Sequence, residues 1–111
     1  MLKGLKRLIN RGDERVIDVI RKGALLIDVR TSREYAVDGI EGTINYPLDD
    51  LFVKMNQLNK NKSVIVFCRS GNRSRHAKFM LEENGFVHVE DAQTVEKMNK
   101  LLIKANENGK T

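Results

Sequence analysis

The sequence contains one cysteine, Cys68, one proline and no tryptophan in 111 residues. A single thiol excludes an internal disulfide framework and any multi-cysteine zinc or iron–sulfur site. One proline and eight glycines exclude a collagen-like or low-complexity chain. The longest apolar run, Val64 to Cys68, is far too short to span a bilayer. Aromatic residues make up 5% of the chain. Few of them interleave with the basic residues and no recognition motif is present, so nucleic acid is not expected as a partner. What is present is 41% hydrophobic and 32% charged residues, the balance of a folded domain. At this length one domain is expected, burying on the order of 65% of the surface of its unfolded chain.

Charge is unevenly spread. Twenty Lys and Arg against fifteen Asp and Glu give a formal charge of +5. Met1 to Lys22 holds seven bases and three acids, and Cys68 to Lys78 holds four bases and no acid. Tyr35 to Asp50 has the reverse balance, with Asp38, Glu41, Asp49 and Asp50 and no Lys or Arg. This pattern predicts a solvated surface with a local anion site after Cys68. The first ten residues, MLKGLKRLIN, space Leu2, Leu5, Leu8 and Ile9 between basic residues. They read as part of an amphipathic extension over residues 1–12 that docks on its own domain, rather than a secretion signal or a membrane contact. A cytoplasmic location suits a chain that keeps one free thiol.

From residue 13 to 106 helical and strand signals alternate. Asp13 is placed to cap a helix bearing Val16, Ile17 and Ile20 and ending at Gly23. ALLIDV (Ala24 to Val29) and SVIVF (Ser63 to Phe67) are short continuous apolar runs, the pattern of strands buried on both faces. Between them, Thr31 or Ser32 caps a short helix closed by Asp38-Gly39, and Thr43 to Tyr46 is a brief strand stopped by Pro47. Asp49 or Asp50 opens a helix with Leu51, Phe52, Met55 and Leu58 on one side. After Phe67 the spacing predicts a helix from about Arg73 to Asn84, a strand at Phe86 to Val89, and a closing helix from Thr94 to Ala105. Residues 107–111 form a frayed tail. Strands joined through helices imply an open, mostly parallel α/β sheet with helices on both faces.

In such a sheet the ligand site lies beyond the carboxyl ends of the strands, and Cys68 stands at one. In Cys68-Arg69-Ser70-Gly71-Asn72-Arg73-Ser74, Gly71 and Asn72 tolerate the backbone angles of a tight cradle. A cradle of this kind turns successive N–H groups inward, and the helix that follows adds the positive end of its dipole. Arg69 and Arg73 add full charges. Together these favour the thiolate of Cys68, which is the nucleophile, over the thiol.

Two blocks carry a resemblance to a known family. The first is LLIDVR (Leu25 to Arg30), then Glu34-Tyr35 and Gly42 to Pro47; the second is IVFCRSGNRS (Ile65 to Ser74). With these the chain resembles the single-domain rhodaneses, the sulfurtransferase module. The resemblance implies a rhodanese-like, open, parallel five-stranded sheet flanked by helices on both faces. It implies that Cys68 takes the outer sulfur of a small anionic donor such as thiosulfate, becomes a persulfide, and yields that sulfur to a thiol or cyanide, or to a sulfur-accepting protein. By the same resemblance Arg69, Ser70, Gly71, Asn72, Arg73 and Ser74 would hold the substrate, Asp28 would pair with a loop arginine, and Arg30 would brace the mouth. No cofactor or metal is implied.

A sulfur-relay module with little thiosulfate turnover is a second reading. A phosphatase or arsenate reductase is a third, disfavoured because related enzymes of those kinds use a seven-residue loop, C-x5-R. Here Ser74 stands at that arginine position and Arg73 comes one residue early; the narrower ring suits one sulfur atom rather than a tetrahedral oxyanion. The chain departs from the family pattern in two places. Asp38-Gly39-Ile40 stands where Gly-His-Ile is usual, and Glu90 to Thr94 replaces a Leu-x-Gly-Gly turn. His76 reads as a surface or packing residue, and His88 as a solvent-facing strand position. Neither has partners at metal-ligand spacing.

Overall fold

A computed structural model describes residues 10–108. The elements in order are α1 (Arg11–Arg21), β1 (Leu25–Asp28), α2 (Ser32–Asp38), β2 (Ile44–Asn45), α3 (Leu48–Lys54) with a 3-10 turn (Met55–Gln57), β3 (Val64–Cys68), α4 (Asn72–Glu83), β4 (Val89–Thr94) and α5 (Val95–Asn108). The sheet has four strands in the order β2-β1-β3-β4, all parallel. The expected fifth strand is absent among the described residues. The α/β architecture, with helices on both faces, is as the resemblance implies.

The alternation along β3 divides the core. Val64, Val66 and Cys68 face one side with Leu51 of α3 and Ala77 and Leu81 of α4. Ile65 and Phe67 face the other, packed with Val16 and Ile17 of α1 and Met98 and Leu101 of α5. All five β3 residues are fully buried. A central strand covered on both faces has no polar side, which is why its sequence is a continuous apolar run. The Cys68 sulfur therefore points beneath the amino end of α4, on the side opposite Phe67.

Several local expectations are corrected. Asn10, not Asp13, caps α1: its side chain accepts from the Asp13 N–H at 2.7 Å, while Asp13 pairs with Lys97. Of the amphipathic extension, residues 1–9 lie outside the described residues. At the other end α5 runs on through Asn108, and residues 109–111 of the tail lie outside them too. Pro47 opens α3 rather than Asp49 or Asp50. Phe52, expected on the apolar side of its helix, is 59% exposed.

The strand placed at Phe86 to Val89 begins only at Val89, and Glu90 to Thr94, read as a turn, are the strand itself. Phe86 belongs to the end of α4. Gly85 takes φ +92°, its N–H reaches Glu82 O, and the Phe86 N–H reaches Leu81 O. An apolar residue just past the glycine commonly packs back on such a helix end, and Phe86, buried in the same cluster as Leu81, serves as helix stop and not as strand. No helix among the described residues is long and apolar enough to cross a membrane.

Candidate active site

The site forms at the carboxyl ends of β1 and β3. Gly71 closes the turn after β3 at φ +96°, and a side chain there would meet nothing closer than Gln93 Cβ at 3.7 Å. The requirement is the backbone angle rather than space. Helix α4 then starts without any side-chain cap from its N-cap residue, Gly71. The Cys68 sulfur takes that part, accepting from the N–H groups of Gly71 at 3.1 Å and Ser74 at 3.3 Å. Ser74 is the third residue of the helix, where a capping acceptor normally binds. The amides of Asn72 and Arg73 belong to the same first turn and have no intrahelical acceptor.

Cys68 is fully buried. Burial pushes its pKa up, but the Ser74 hydroxyl and the amides of Ser74, Gly71 and Ser70 act the other way and prevail, leaving the thiol more acidic than an ordinary one. The Ser74 hydroxyl, itself buried, also lies 3.2 Å from Gly71 O and 3.4 Å from Gln93 O. Gln93 sits where β4 bulges against β3, at φ +73°, a conformation that costs a residue with a side chain about 1 kcal/mol. No sequence signal marked it.

The arginines are arranged differently from the expectation. Asp28 pairs not with a loop arginine but with Arg30, whose guanidinium donates from Nε at 3.0 Å and from Nη2 at 2.8 Å. Nη1 of Arg30 reaches Asp38 at 2.7 Å. Both members of the Asp28–Arg30 pair are buried. Two residues apart at the end of β1, they lie within reach of one another, whereas the loop arginines project outward toward α2.

Their partner is Glu34, which carried no role in the sequence reading. Arg73 donates to its two oxygens at 2.7 and 3.0 Å, and Arg69 approaches at 3.5 Å. Glu34 also closes a capping box with Thr31 at the start of α2. Arg73 and the Thr31 N–H hold its carboxyl well below the usual carboxylate range. The signal that points to Glu34 is its place three residues after the cap, which turns its carboxylate back toward the strand ends.

The remaining candidates are dispersed. Ser70 and Asn72 are exposed on the loop rim, and His76 is exposed on α4. His88 is corrected: it is half-buried at the opposite pole, with Nδ1 3.1 Å from Ser63 Oγ and Nε2 2.6 Å from Glu90. The alternation of Phe86 to Val89 predicts a solvent-facing position, but the strand begins only at Val89, so His88 lies just before it.

The chain is similar to known proteins. Thiosulfate sulfurtransferase PspE of Escherichia coli strain K12 is 38% identical over 68 residues, 60% of this chain and 65% of its own length. Putative sulfur carrier protein YrkF of Bacillus subtilis strain 168 is 34% identical over 64 residues, 58% of this chain and 35% of its own. The chain thus spans about a third of one of these two curated relatives and just under two thirds of the other. Among solved structures, a rhodanese with anions from E. coli superimposes with a TM-score of 0.63 at 34% identity, covering 68% of this chain and 91% of that one. The profile of the rhodanese-like domain matches residues 2–93. With most of its length inside that profile and a parallel sheet that superimposes on a solved rhodanese, the chain belongs to the rhodanese-like family.

Proposed function

We propose that this protein is a rhodanese-type sulfurtransferase that carries a sulfane sulfur on Cys68. The Cys68 thiolate attacks the outer sulfur of thiosulfate, the S–S bond of the donor breaks, and sulfite leaves with the bonding pair. A second nucleophile, cyanide in an assay or a thiol, then attacks the outer sulfur of the Cys68 persulfide, and the thiolate is regenerated. Both steps conserve charge and need no cofactor. The amides from Arg69 to Ser74 serve as the ring that holds the terminal sulfur anion, with Arg69 and Arg73 beside it. Asp28 and Arg30 act as a buried brace behind the loop rather than as donor contacts. A cytoplasmic setting suits a mechanism that starts from a reduced thiol.

The observation that carries this reading is the chain's only thiol receiving two backbone N–H groups at the start of a helix. The test is intact mass after incubation with thiosulfate. Wild type gains about 32 Da, one sulfur atom, while Cys68→Ser folds normally and gains nothing. Thiocyanate formation by Cys68→Ser would remove Cys68 from the mechanism. The burial of Sγ and the engagement of both loop arginines by Glu34 favour a second reading, a relay that is loaded by a partner and turns over thiosulfate slowly. A mass gain without steady thiocyanate production selects the relay.

A further inference from the structure

A dianion approaching Cys68 meets a mouth with no excess of positive charge. Arg30 is shared by Asp28 and Asp38, Arg73 and Arg69 lean on Glu34, and Glu96 lines the cleft of about 370 Å³ that holds Arg30 and Arg69. Three guanidiniums there face four carboxylates. In a chain of formal charge +5, this cleft beside the Cys68 loop is neutral to acidic, and the loop's other flank adds one base, Arg75, and one acid, Asp91.

From this mouth a groove of about 540 Å³ continues between the loop after α2 and one face of α5, sharing Asp38, Val95 and Glu96 with the mouth. Its charged lining is entirely acidic: Asp38, Glu41 and Glu96, with no Lys or Arg. Lys97, Lys100 and Lys104 of α5 are not among its lining residues. Between the acids lie Ile40, Leu102 and Ile103, and Ile103 is 51% exposed. Along α5 from Val95 to Asn106 the groove is about 17 Å long at 1.5 Å per residue, the reach of about five residues of extended chain.

We propose that this groove docks a basic, apolar segment of a protein that exchanges sulfur with Cys68 through a cysteine persulfide. The inference rests on the sulfur-transfer reading above and names its partner class. Charge complementarity selects lysine or arginine in that segment, the apolar residues select aliphatic side chains between them, and continuity with the mouth places the partner's cysteine at the Cys68 loop. In the exchange the Cys68 thiolate attacks the outer sulfur of R–S–SH. The S–S bond breaks, R–S⁻ leaves with the bonding pair, and Cys68 becomes Cys–S–SH; no oxidant or reductant is needed.

The experiment uses the full chain and three donors: thiosulfate and two synthetic cysteine-persulfide peptides, one alternating leucine with lysine and the other leucine with glutamate. The readout is the initial rate at which Cys68 gains one sulfur by intact mass. At low ionic strength the lysine peptide loads Cys68 about tenfold faster than the glutamate peptide, and the difference shrinks in high salt. Glu41→Lys and Ile103→Ser each reduce that advantage severalfold; Ile103→Ser leaves thiosulfate loading unchanged, and Glu41→Lys, which adds two units of positive charge near the mouth, does not slow it. Equal loading by both peptides, with thiosulfate still active, overturns the docking inference alone. An advantage indifferent to both substitutions places the partner elsewhere and also overturns it. Self-association of the chain that Glu41→Lys abolishes assigns the groove to a second copy, against a different partner. Loading by none of the three donors overturns the sulfur-transfer reading itself.

Discussion

Glu34→Gln tests the electrostatics of the mouth with little change in shape. Glutamine keeps the capping box with Thr31, since the amide oxygen still accepts the Thr31 N–H. It removes the charge that holds Arg73 at 2.7 and 3.0 Å and draws Arg69 to 3.5 Å. A unit charge and a dianion about 8 Å apart interact by about 1 kcal/mol in water, and physiological salt roughly halves this. The KM for thiosulfate is therefore expected to fall about twofold at physiological ionic strength and about fivefold at low salt, with kcat little changed. The assay is thiocyanate formation at two salt concentrations. A rise in KM would refute the reasoning, because it would mean that Glu34 orients Arg73 for the donor rather than neutralising it.

Stability gives an independent check on the same substitution. The half-buried pair contributes on the order of 1 kcal/mol. Because the Glu34 carboxyl is depressed in the folded state, that contribution is fully present above its ordinary value of 4.5 and is lost as pH falls through the folded value. The difference in stability between wild type and Glu34→Gln should thus be largest near neutrality and shrink on acidification.

Cys68 should react with iodoacetamide along a titration curve whose midpoint lies below that of an unperturbed thiol measured alongside, because the amides and the Ser74 hydroxyl favour the thiolate; its plateau rate should be slow, since Sγ is buried. A midpoint at or above that of the unperturbed thiol contradicts the capping role of the sulfur. Asp28→Asn should lower the free energy of unfolding by about 3 kcal/mol or more in denaturant titrations, because it leaves the buried Arg30 charge with only the exposed Asp38 as partner. A loss below about 1 kcal/mol would show that the pair behaves as a surface ion pair.

Short-range chemistry in the sequence determined much of this protein. The two apolar runs became the central strands β1 and β3 because a strand covered on both faces tolerates no polar side. Gly71 after Cys68 set the left-handed turn that brings α4 to the sulfur, and Thr31 with Glu34 set the start of α2. What only the tertiary structure decided depends on partners distant in the chain. Glu34 and Arg73 are 39 residues apart, and no local spacing foretells that one neutralises the other. The bulge that places Gln93 over the Ser74 hydroxyl arises from the register of β4 against β3, and the acidic groove arises where α5 passes the loop after α2. Phe86 read as strand because hydrophobicity alone does not distinguish a helix stop from a sheet residue. The nucleophile could be read from its own neighbours in sequence, whereas the charge that confronts its substrate is a sum over side chains assembled by the fold.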